Sequence, residues 1–494
     1  MPAVAGALVA LAAAIASDSC PAVRPGWHLI RPATHQSSGI AVPHAGPWGS
    51  SYVLVSKVGA IGHGTGLLTP PSRRELLTAK QGPAGHGGSA GAGGGFLPGF
   101  HGESRDPTTA ESRQLVPGWR QRWAKGARLG RGMQGEVWRA RRTDGGVSLL
   151  GPEFVLKRMF HAASDPAARR AGMREVQFGR RLRWKPGCTH FVEHFWATPG
   201  SPGALPELWL VFADAGDSLA NLIYETAADG VRVRSPTWKQ LHGHERGPAV
   251  VKSLFGQLLR ALATAHADGI LHRDIKPSNI LVRPHPQRAG ELVLRLADWS
   301  SAVDLSNKTI GYGASGPSAD EETLEYSAPE VRASGGTLPY LPNNPELFDA
   351  WSAGATILEL LLGARPSEWL ILSPNRASKL RRSMAAADPA EVLVAELLTA
   401  LREWCLWGGD IRHAVQRGTP KTSSTCPGFI GFKLAVQNWV GQNGLRELGS
   451  LLAPLGQHNS QVLFRMLLAD AGLRISPAEA IKEGIENGPD GSEE

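Results

Sequence analysis

The chain has 494 residues, which is enough for two to four domains of roughly 100–200 residues or for one large domain with tails. Its 59 glycines and 36 prolines make up about 19% of the residues, against about 12% in an average protein, so part of the chain is not expected to pack. The net charge is +8, but residues 1–122 carry ten Lys or Arg and five Asp or Glu, and the nearly neutral remainder argues against a nucleic-acid-binding core. The four cysteines lie far apart in sequence and support neither a disulfide scaffold nor a zinc module.

Residues 1–16 form an apolar stretch, MPAVAGALVALAAAIA, that is shorter than the ~20 residues needed to span a bilayer. It ends in the small-x-small pattern Ala14-Ile15-Ala16, so we interpret it as a signal peptide. An Ala-rich helix or a wrongly assigned start codon is the alternative, because no Lys or Arg precedes the apolar run.

Residues 17–118 are predicted to be a low-complexity leader. No Asp or Glu occurs from Ser19 to Arg74, which is typical of a transit peptide, and ten of the 21 residues from Gly82 to Gly102 are glycine, which predicts a flexible linker. A signal peptide followed by such a stretch resembles the bipartite plastid-targeting leader of algae with complex plastids. The expected destination is the plastid or the secretory route, with no integral membrane span after cleavage; simple disorder and a cytoplasmic location are the alternatives.

The folded part is expected over residues 119–484. From about Trp119 onward, short apolar runs alternate with amphipathic helical patterns, which is typical of a packed domain. Residues 485–494, which end in the polar stretch NGPDGSEE, are predicted to form a disordered tail.

A glycine-rich loop opens the folded part, with Gly130, Gly132 and Gly135 in the pattern G-x-G-x-x-G. Glycines allow backbone N–H groups to approach phosphate oxygens closely. Dinucleotide-binding enzymes share this spacing, but there a helix follows the loop directly. Here the residues 137–140 continue as a strand, so the loop is predicted to lie in a β-hairpin.

The next charged residue of interest is Lys157, which ends the apolar strand Phe154–Lys157. A lone lysine at a strand end is usually solvated, but Glu175 on the helix predicted over Pro166–Leu182 could reach it and hold its ammonium against a phosphate. Several arginines of this helix are interpreted as a solvated face, with recognition of a phosphate as the alternative; they include Arg169, Arg170, Arg174, Arg180 and Arg181.

The decisive segment is His272-Arg273-Asp274-Ile275-Lys276-Pro277-Ser278-Asn279, which follows an amphipathic helix containing Val251, Leu254 and Leu258. An Asp followed five positions later by Asn can place a base beside a hydroxyl and an amide oxygen on a metal. The segment resembles the catalytic loop His-Arg-Asp-x-x-x-x-Asn of the eukaryotic protein kinases.

Further landmarks extend the resemblance over about residues 123–484. Asp298-Trp299-Ser300 stands where the family has Asp-Phe-Gly, and the segment ending in Ala328-Pro329-Glu330 matches the end of the activation segment. Asp349 resembles the aspartate that braces the catalytic loop, and Arg474 the arginine that pairs with Glu330. The segment 366–457 exceeds a minimal kinase domain and is interpreted as an insertion.

The resemblance implies an α+β bilobal fold, in which a small antiparallel sheet with one helix precedes a larger helical lobe and ATP binds in the cleft between them. It implies transfer of the ATP γ-phosphoryl group to Ser or Thr hydroxyls of a protein substrate, with Mg²⁺ as cofactor. Asp274 would orient the attacking hydroxyl, Lys276 would steady the γ-phosphate, and Lys157, held by Glu175, would contact the other phosphates. The binding residues implied are Gly130, Gly132 and Gly135 for phosphates, Val137, Val155, Phe212 and Leu281 for adenine, and Asn279 and Asp298 for Mg²⁺.

Two departures from the family leave a pseudokinase or scaffold that binds nucleotide as the alternative function. Ser300 replaces the glycine of Asp-Phe-Gly, and its hydroxyl is expected to bond Asp298 or the local backbone. Gly179 replaces an apolar residue, and Trp299 is expected to fill the space. The catalytic-loop motif argues against the other candidate, a Rossmann-type dinucleotide-binding enzyme.

The sequence around Arg273 leaves open whether the activation segment must be phosphorylated. The resemblance implies that this arginine reads a phosphate on the activation segment, for which Ser315 and Ser318 are the candidate acceptors. Alternatively, the acidic run Asp320-Glu321-Glu322 orders the segment without any phosphate.

Overall fold

The computed structural model describes residues 122–132, 134–143, 153–198, 203–243, 245–288, 290–312, 316–332, 344–407, 428–445 and 451–485. The predicted signal peptide (1–16), the leader (17–118) and Ser315 lie outside the described residues, as does the tail from residue 486 onward.

The first part of the fold is a five-stranded antiparallel sheet with one helix packed on it. Its strand order is β1-β2-β3-β5-β4, with β1 and β2 forming the predicted hairpin. Apolar residues alternate along the strands, so one face buries Phe154 and Trp209 and the other buries Leu208 and Phe212. The strands are β1 (Trp123–Arg131), β2 (Gly135–Arg142), β3 (Glu153–Met159), β4 (Phe191–Ala197) and β5 (Glu207–Ala213).

Helix α1 (Pro166–Arg181) covers the second of these faces. It begins where Asp165 accepts a hydrogen bond from the Ala167 N–H at 2.8 Å, with proline in the first turn. Met173 and Val176 then pack with the residues of the sheet. This packing fixes the position of Glu175, which lies between them in sequence and is 1% exposed.

The second part is mainly helical and has one large core. Helix α4 buries Leu254 and Leu258 on the predicted apolar face, while every residue of α6 is buried. The helices are α2 (Leu219–Ile223), α3 (Pro236–Gly243), α4 (Gly247–Ala267), α5 (Pro329–Arg332), α6 (Leu347–Leu362), α7 (Pro366–Trp369), α8 (Pro374–Ser383), α9 (Pro389–Glu403), α10 (Phe429–Gln442), α11 (Gly456–Met466) and α12 (Pro477–Lys482). Short strands complete it: β6 (Asp217–Ser218), β7 (Tyr224–Thr226), β8 (Arg232–Arg234), β9 (Ile270–Leu271), β10 (Ile280–Pro284), β11 (Leu292–Leu296) and β12 (Val303–Asp304).

Two buried polar contacts confirm the architectural predictions. Asp349 of α6 accepts the backbone N–H groups of His272 and Arg273, both at 2.8 Å. Arg474 donates to both carboxylate oxygens of Glu330, at 2.8 and 2.6 Å. The first contact fixes the backbone of the loop that carries Asp274, and the second ties the end of the activation segment to the last helices.

One expectation, the start of the tail, needs correction. Ile485, placed in the predicted tail, is 3% exposed and belongs to the large core, because its apolar side chain packs once α12 has ended. Cys188 is free and buried, and Cys405 is disulfide-bonded; a single bond does not make a disulfide scaffold. In the described ranges, no helix combines the length and apolar character required to cross a membrane.

Candidate active site

The glycines of the predicted phosphate loop differ in their surroundings. A Cβ on Gly135 would lie 2.2 Å from the carbonyl oxygen of Arg158 on β3, whereas a Cβ on Gly130 or Gly132 would meet nothing within 4 Å. The loop is closed by a hydrogen bond from the Gly132 N–H to the Gly135 carbonyl at 2.8 Å. Gly135 is therefore required by the sheet, and the other two glycines leave open space for a ligand.

Lys157 lies between two carboxylates. Its Nζ is 2.8 and 2.9 Å from the oxygens of Glu175 and 3.0 Å from Oδ1 of Asp298. Burial disfavours the ammonium, but Asp298 and Glu175 outweigh burial and raise the pKa of Lys157 well above its ordinary value. One ammonium cannot neutralise two carboxylates, and burial raises the pKa of Glu175 to about 7 despite Lys157.

The catalytic-loop residues form a second charged cluster around Asp274. The carboxylate of Asp274 is 2.7 Å from Lys276 Nζ, 2.7 Å from Thr323 Oγ1 and 2.9 Å from Asn279 Nδ2. Lys276 also donates to Thr323 at 2.6 Å. The arrangement places a carboxylate and an ammonium side by side next to a hydroxyl of the activation segment.

Two residues beside these clusters have left-handed backbone conformations. Arg273 has φ 68° and Asp298 has φ 64°. Such conformations cost a non-glycine residue about 1–3 kcal/mol and persist where the surroundings impose them. At Arg273 the constraint is the pair of hydrogen bonds that the backbone N–H groups of His272 and Arg273 donate to Asp349, and this constraint turns the neighbouring Asp274 into the cluster.

Comparison with known proteins identifies the fold. A family model described as a protein kinase domain matches residues 123–406, more than half of the chain. The chain belongs to the protein kinase family. The sheet with one helix followed by a helical lobe is thus the bilobal α+β kinase fold.

Three relatives illustrate the similarity of this kinase domain. A probable inactive protein kinase of Arabidopsis thaliana is 30% identical over 236 residues, which are 42% of this chain and 62% of that protein. The chloroplastic serine/threonine-protein kinase STN7 of Arabidopsis thaliana is 26% identical over 278 residues, which are 51% of this chain and 45% of that protein. The mitogen-activated protein kinase kinase kinase YODA of the same plant is 27% identical over 262 residues, which are 52% of this chain and 24% of that protein. The chain thus spans less than two thirds of each of these relatives.

The residues expected around adenine lie on neighbouring strands of the kinase sheet and on β10. Val137 is paired with Lys157 across β2 and β3, and Val155 with Phe212 across β3 and β5. Val137, Val155 and Leu281 are half-buried, whereas Phe212 is 7% exposed and makes an edge contact with Phe191 at 5.6 Å between ring centroids. The first three side chains thus keep apolar surface that a ligand could cover.

The residues expected to hold Mg²⁺ offer suitable donor atoms. Asn279 uses its amide nitrogen on Asp274, and its Oδ1 is 3.5 Å from the Ser278 hydroxyl, so this oxygen can ligate a cation. Burial disfavours the carboxylate of Asp298, but Lys157 and the Ser300 hydroxyl lower its pKa well below the ordinary range. An ionised carboxylate with an amide oxygen is the donor set that Mg²⁺ prefers, so the residues present fit this ion.

Ser300 behaves as the sequence predicts. Its hydroxyl is 2.7 Å from Oδ1 of Asp298 and 2.9 Å from Oε1 of Gln134 in the glycine-rich loop. Ser300 lies in the 3₁₀ turn Trp299–Ser301 and is not among the residues with positive φ, so a side chain is accommodated here without backbone strain. Gln134 escaped prediction because its contact joins residues 166 positions apart.

The space beside Gly179 is filled differently from the expectation. The atoms nearest to a Cβ on Gly179 all belong to Phe191 of β4, at 3.1–3.2 Å, and not to Trp299. Trp299 is fully buried and packs on His272, 4.5 Å away between ring centroids. The aromatic ring from β4 reaches this space because glycine presents only backbone to it.

The arginines of α1 also need a correction. Arg174, interpreted as part of a solvated face, is 4% exposed and donates to the Ser300 carbonyl at 2.6 Å and to the Gly311 carbonyl at 2.8 Å. Helical spacing could have indicated this position, because Arg174 lies three residues after Ala171 and four before Phe178, both of which are buried, and therefore shares their face of α1.

Proposed function

We propose that the protein is an active serine/threonine protein kinase that transfers the γ-phosphoryl group of ATP to protein hydroxyls. The observation that carries this proposal is the cluster around Asp274, in which the carboxylate already accepts a hydrogen bond from a threonine hydroxyl at 2.7 Å. A substrate hydroxyl bound in the same way would be oriented for attack, with Asp274 taking its proton. Lys276, 2.7 Å away, would compensate negative charge on the transferred group.

The remaining residues would bind the nucleotide and the metal. Gly130 and Gly132 would cover the phosphates from the open side of the loop, and Lys157 would contact them while Glu175 holds its ammonium in place. Asp298 and Asn279 would hold Mg²⁺, which when bound neutralises charge on the phosphates. Ser300 would keep the carboxylate of Asp298 in one orientation, which supports metal binding rather than abolishing it.

A nucleotide-binding pseudokinase is the second candidate. It is favoured by the similarity to a probable inactive protein kinase and by Ser300 in the place of glycine. The chain nevertheless contains every side chain that the transfer needs, from Lys157 to Asp298, which argues against a pseudokinase.

The test is incubation of the full-length chain with labelled ATP, Mg²⁺ and casein as acceptor. We expect transfer by the wild type, and a loss of more than 95% in Asp274→Asn, because the amide cannot take the proton. Nucleotide-induced thermal stabilisation should survive in this variant, whereas Lys157→Met should lose both. Transfer by Asp274→Asn at the wild-type rate would contradict the role of Asp274; binding without transfer in the wild type would favour the pseudokinase.

We further propose that residues 1–80 direct the protein to the plastid or the secretory route. The apolar residues 1–16 and the acid-free stretch Ser19–Arg74 support this proposal. The name of one relative also places that protein in the chloroplast.

A further inference from the structure

A buried cluster joins the activation segment to the catalytic loop and to α1; we call its four residues, Arg174, Arg273, Tyr312 and Glu322, the Arg273 cluster. The side chains of Arg273 and Glu322 are 0% and 1% exposed, and Arg174 and Tyr312 are 4% and 6% exposed as whole residues. Two guanidinium groups without access to water are costly unless they are paired and hydrogen-bonded. The partners of these arginines therefore determine how the segment is held.

Glu322 supplies the negative charge that Arg273 needs. Its Oε1 accepts from Arg273 Nη2 at 2.8 Å and from Nε at 3.2 Å, and Glu321 adds a carboxylate 3.6 Å from Nη2. Ser327 donates to the other oxygen of Glu322 at 3.0 Å. A carboxylate of the chain thus occupies the side of Arg273 at which a phosphate on the activation segment would otherwise bind.

Tyr312 lies between the two arginines. Its ring centroid is 3.9 Å from the guanidinium carbon of Arg174 and 5.8 Å from that of Arg273. Its hydroxyl accepts from Arg273 at 3.1 Å and donates to the Ser301 carbonyl at 2.7 Å. The aromatic ring separates two like charges and gives both a favourable contact.

Three members of the cluster are chain neighbours of residues in the proposed transfer site. Arg174 precedes Glu175, Arg273 precedes Asp274, and Glu322 precedes Thr323. Thr323 in turn donates its backbone N–H to Asp274 at 3.2 Å. The Arg273 cluster is therefore placed to position the groups that bind phosphate and substrate at once.

Ser318 is already engaged in this conformation. Its carbonyl accepts from Arg273 Nη2, and its hydroxyl caps the 3₁₀ turn Ala319–Glu321 by accepting from the Asp320 N–H at 3.3 Å. The same hydroxyl is 3.3 Å from a carboxylate oxygen of Glu321, so a phosphate on Ser318 would meet like charge.

We propose that Glu322 keeps the activation segment ordered without phosphorylation, with Arg174 and Tyr312 as positioning residues. This inference rests on the proposed kinase function and concerns the switching of the same site. It resolves the alternative left open by the sequence in favour of the acidic run, and within that run it assigns the role to the one carboxylate that is buried against Arg273.

The experiment compares Glu322→Gln with Asp320→Asn in the full-length protein, before and after phosphatase treatment. Each variant loses one negative charge, and the two positions lie two residues apart in sequence. They differ in their surroundings, because Asp320 is exposed to solvent. Three quantities are measured for each variant: amide hydrogen exchange of peptides covering residues 316–332, kcat for casein phosphorylation, and the KM for ATP in that reaction. Exchange needs no catalysis, so it tests the order of the segment even if no transfer occurs.

We expect Glu322→Gln to raise exchange at least tenfold and to lower kcat at least tenfold with less than threefold change in the KM for ATP. Asp320→Asn and the phosphatase-treated wild type should stay within twofold of the untreated wild type, and Glu322→Asp should recover part of the loss. Should Glu322→Gln fail to fold, Tyr312→Phe, which removes only a hydroxyl, is expected to raise exchange severalfold.

Two results would overturn the proposal. One is a Glu322→Gln protein with the exchange and kcat of Asp320→Asn; the other is a phosphatase-treated wild type that loses both its protection and its activity. If the wild type transfers no phosphate while exchange still separates the two variants, the role of Glu322 stands and the kinase proposal fails.

Discussion

The glycines of the phosphate loop show how similar residues in one motif meet different demands. Gly135 faces the Arg158 carbonyl, so a methyl group there must push β2 away from β3, whereas Gly132 faces open space. We expect Gly135→Ala to lower the free energy of unfolding by about 1–3 kcal/mol, the usual cost of overpacking. Gly132→Ala, the matched control, should change it by less than about 0.5 kcal/mol. Urea denaturation measures both, and equal effects would contradict this division of roles.

Ser300 is the second residue whose effect can be isolated. Because its hydroxyl contacts Asp298 and Gln134 without positive φ, replacement by glycine removes two contacts and relieves no strain. We expect Ser300→Gly to keep Mg²⁺-dependent ATP binding and to change turnover by less than tenfold, or about 1.4 kcal/mol in the barrier. Gln134→Ala, which removes the loop side of the same contact, is the control.

Calorimetry for binding and casein phosphorylation for turnover measure the two effects of Ser300→Gly. A wild type that binds no Mg²⁺-ATP, together with a Ser300→Gly variant that gains binding and transfer, would establish the pseudokinase function.

Helix α6 carries a buried carboxylate whose ionisation should change the stability of the protein with pH. Glu359 is 1% exposed and accepts hydrogen bonds from the Tyr224 and Tyr326 hydroxyls at 3.0 and 2.7 Å. Burial raises its pKa from 4.5 to about 7. The folded chain holds the proton of Glu359 more tightly than the unfolded chain does. The contribution of this group to the free energy of unfolding is therefore fully present below pH 4.5 and is lost as pH rises through 7.

We therefore expect the wild type to lose stability between pH 5 and pH 8 relative to Glu359→Gln, by about 3 kcal/mol at most. Glu391→Gln on the exposed face of α9 is the control and should follow the wild type. Denaturation midpoints at four pH values measure the difference. A constant difference between the wild type and Glu359→Gln across this range would contradict the raised pKa.

The elements of the fold were predictable where a local pattern determines them. The hairpin followed from Gly130 to Gly135, α4 from its amphipathic spacing, and the contacts of Asp349 and Arg474 from the kinase resemblance. The contacts of Phe191 with Gly179 and of Tyr312 with Arg174 were not predictable, because they join segments far apart in sequence. Charge alone did not distinguish Glu322 from Asp320 either, since only the fold buries one of them.

At the scale of the whole molecule, we propose that the predicted leader determines the compartment in which the kinase domain is located. Its apolar residues 1–16 are too short to span a bilayer, and the acid-free stretch Ser19–Arg74 carries positive charges alone, a combination that fits two successive targeting steps. We expect a fusion of residues 1–80 to a fluorescent protein to accumulate in the plastid of an alga with complex plastids. A fusion of residues 17–80 should remain outside the secretory route, because it lacks the apolar entry signal. Uniform cytosolic fluorescence of the longer fusion would show that these residues do not target the protein.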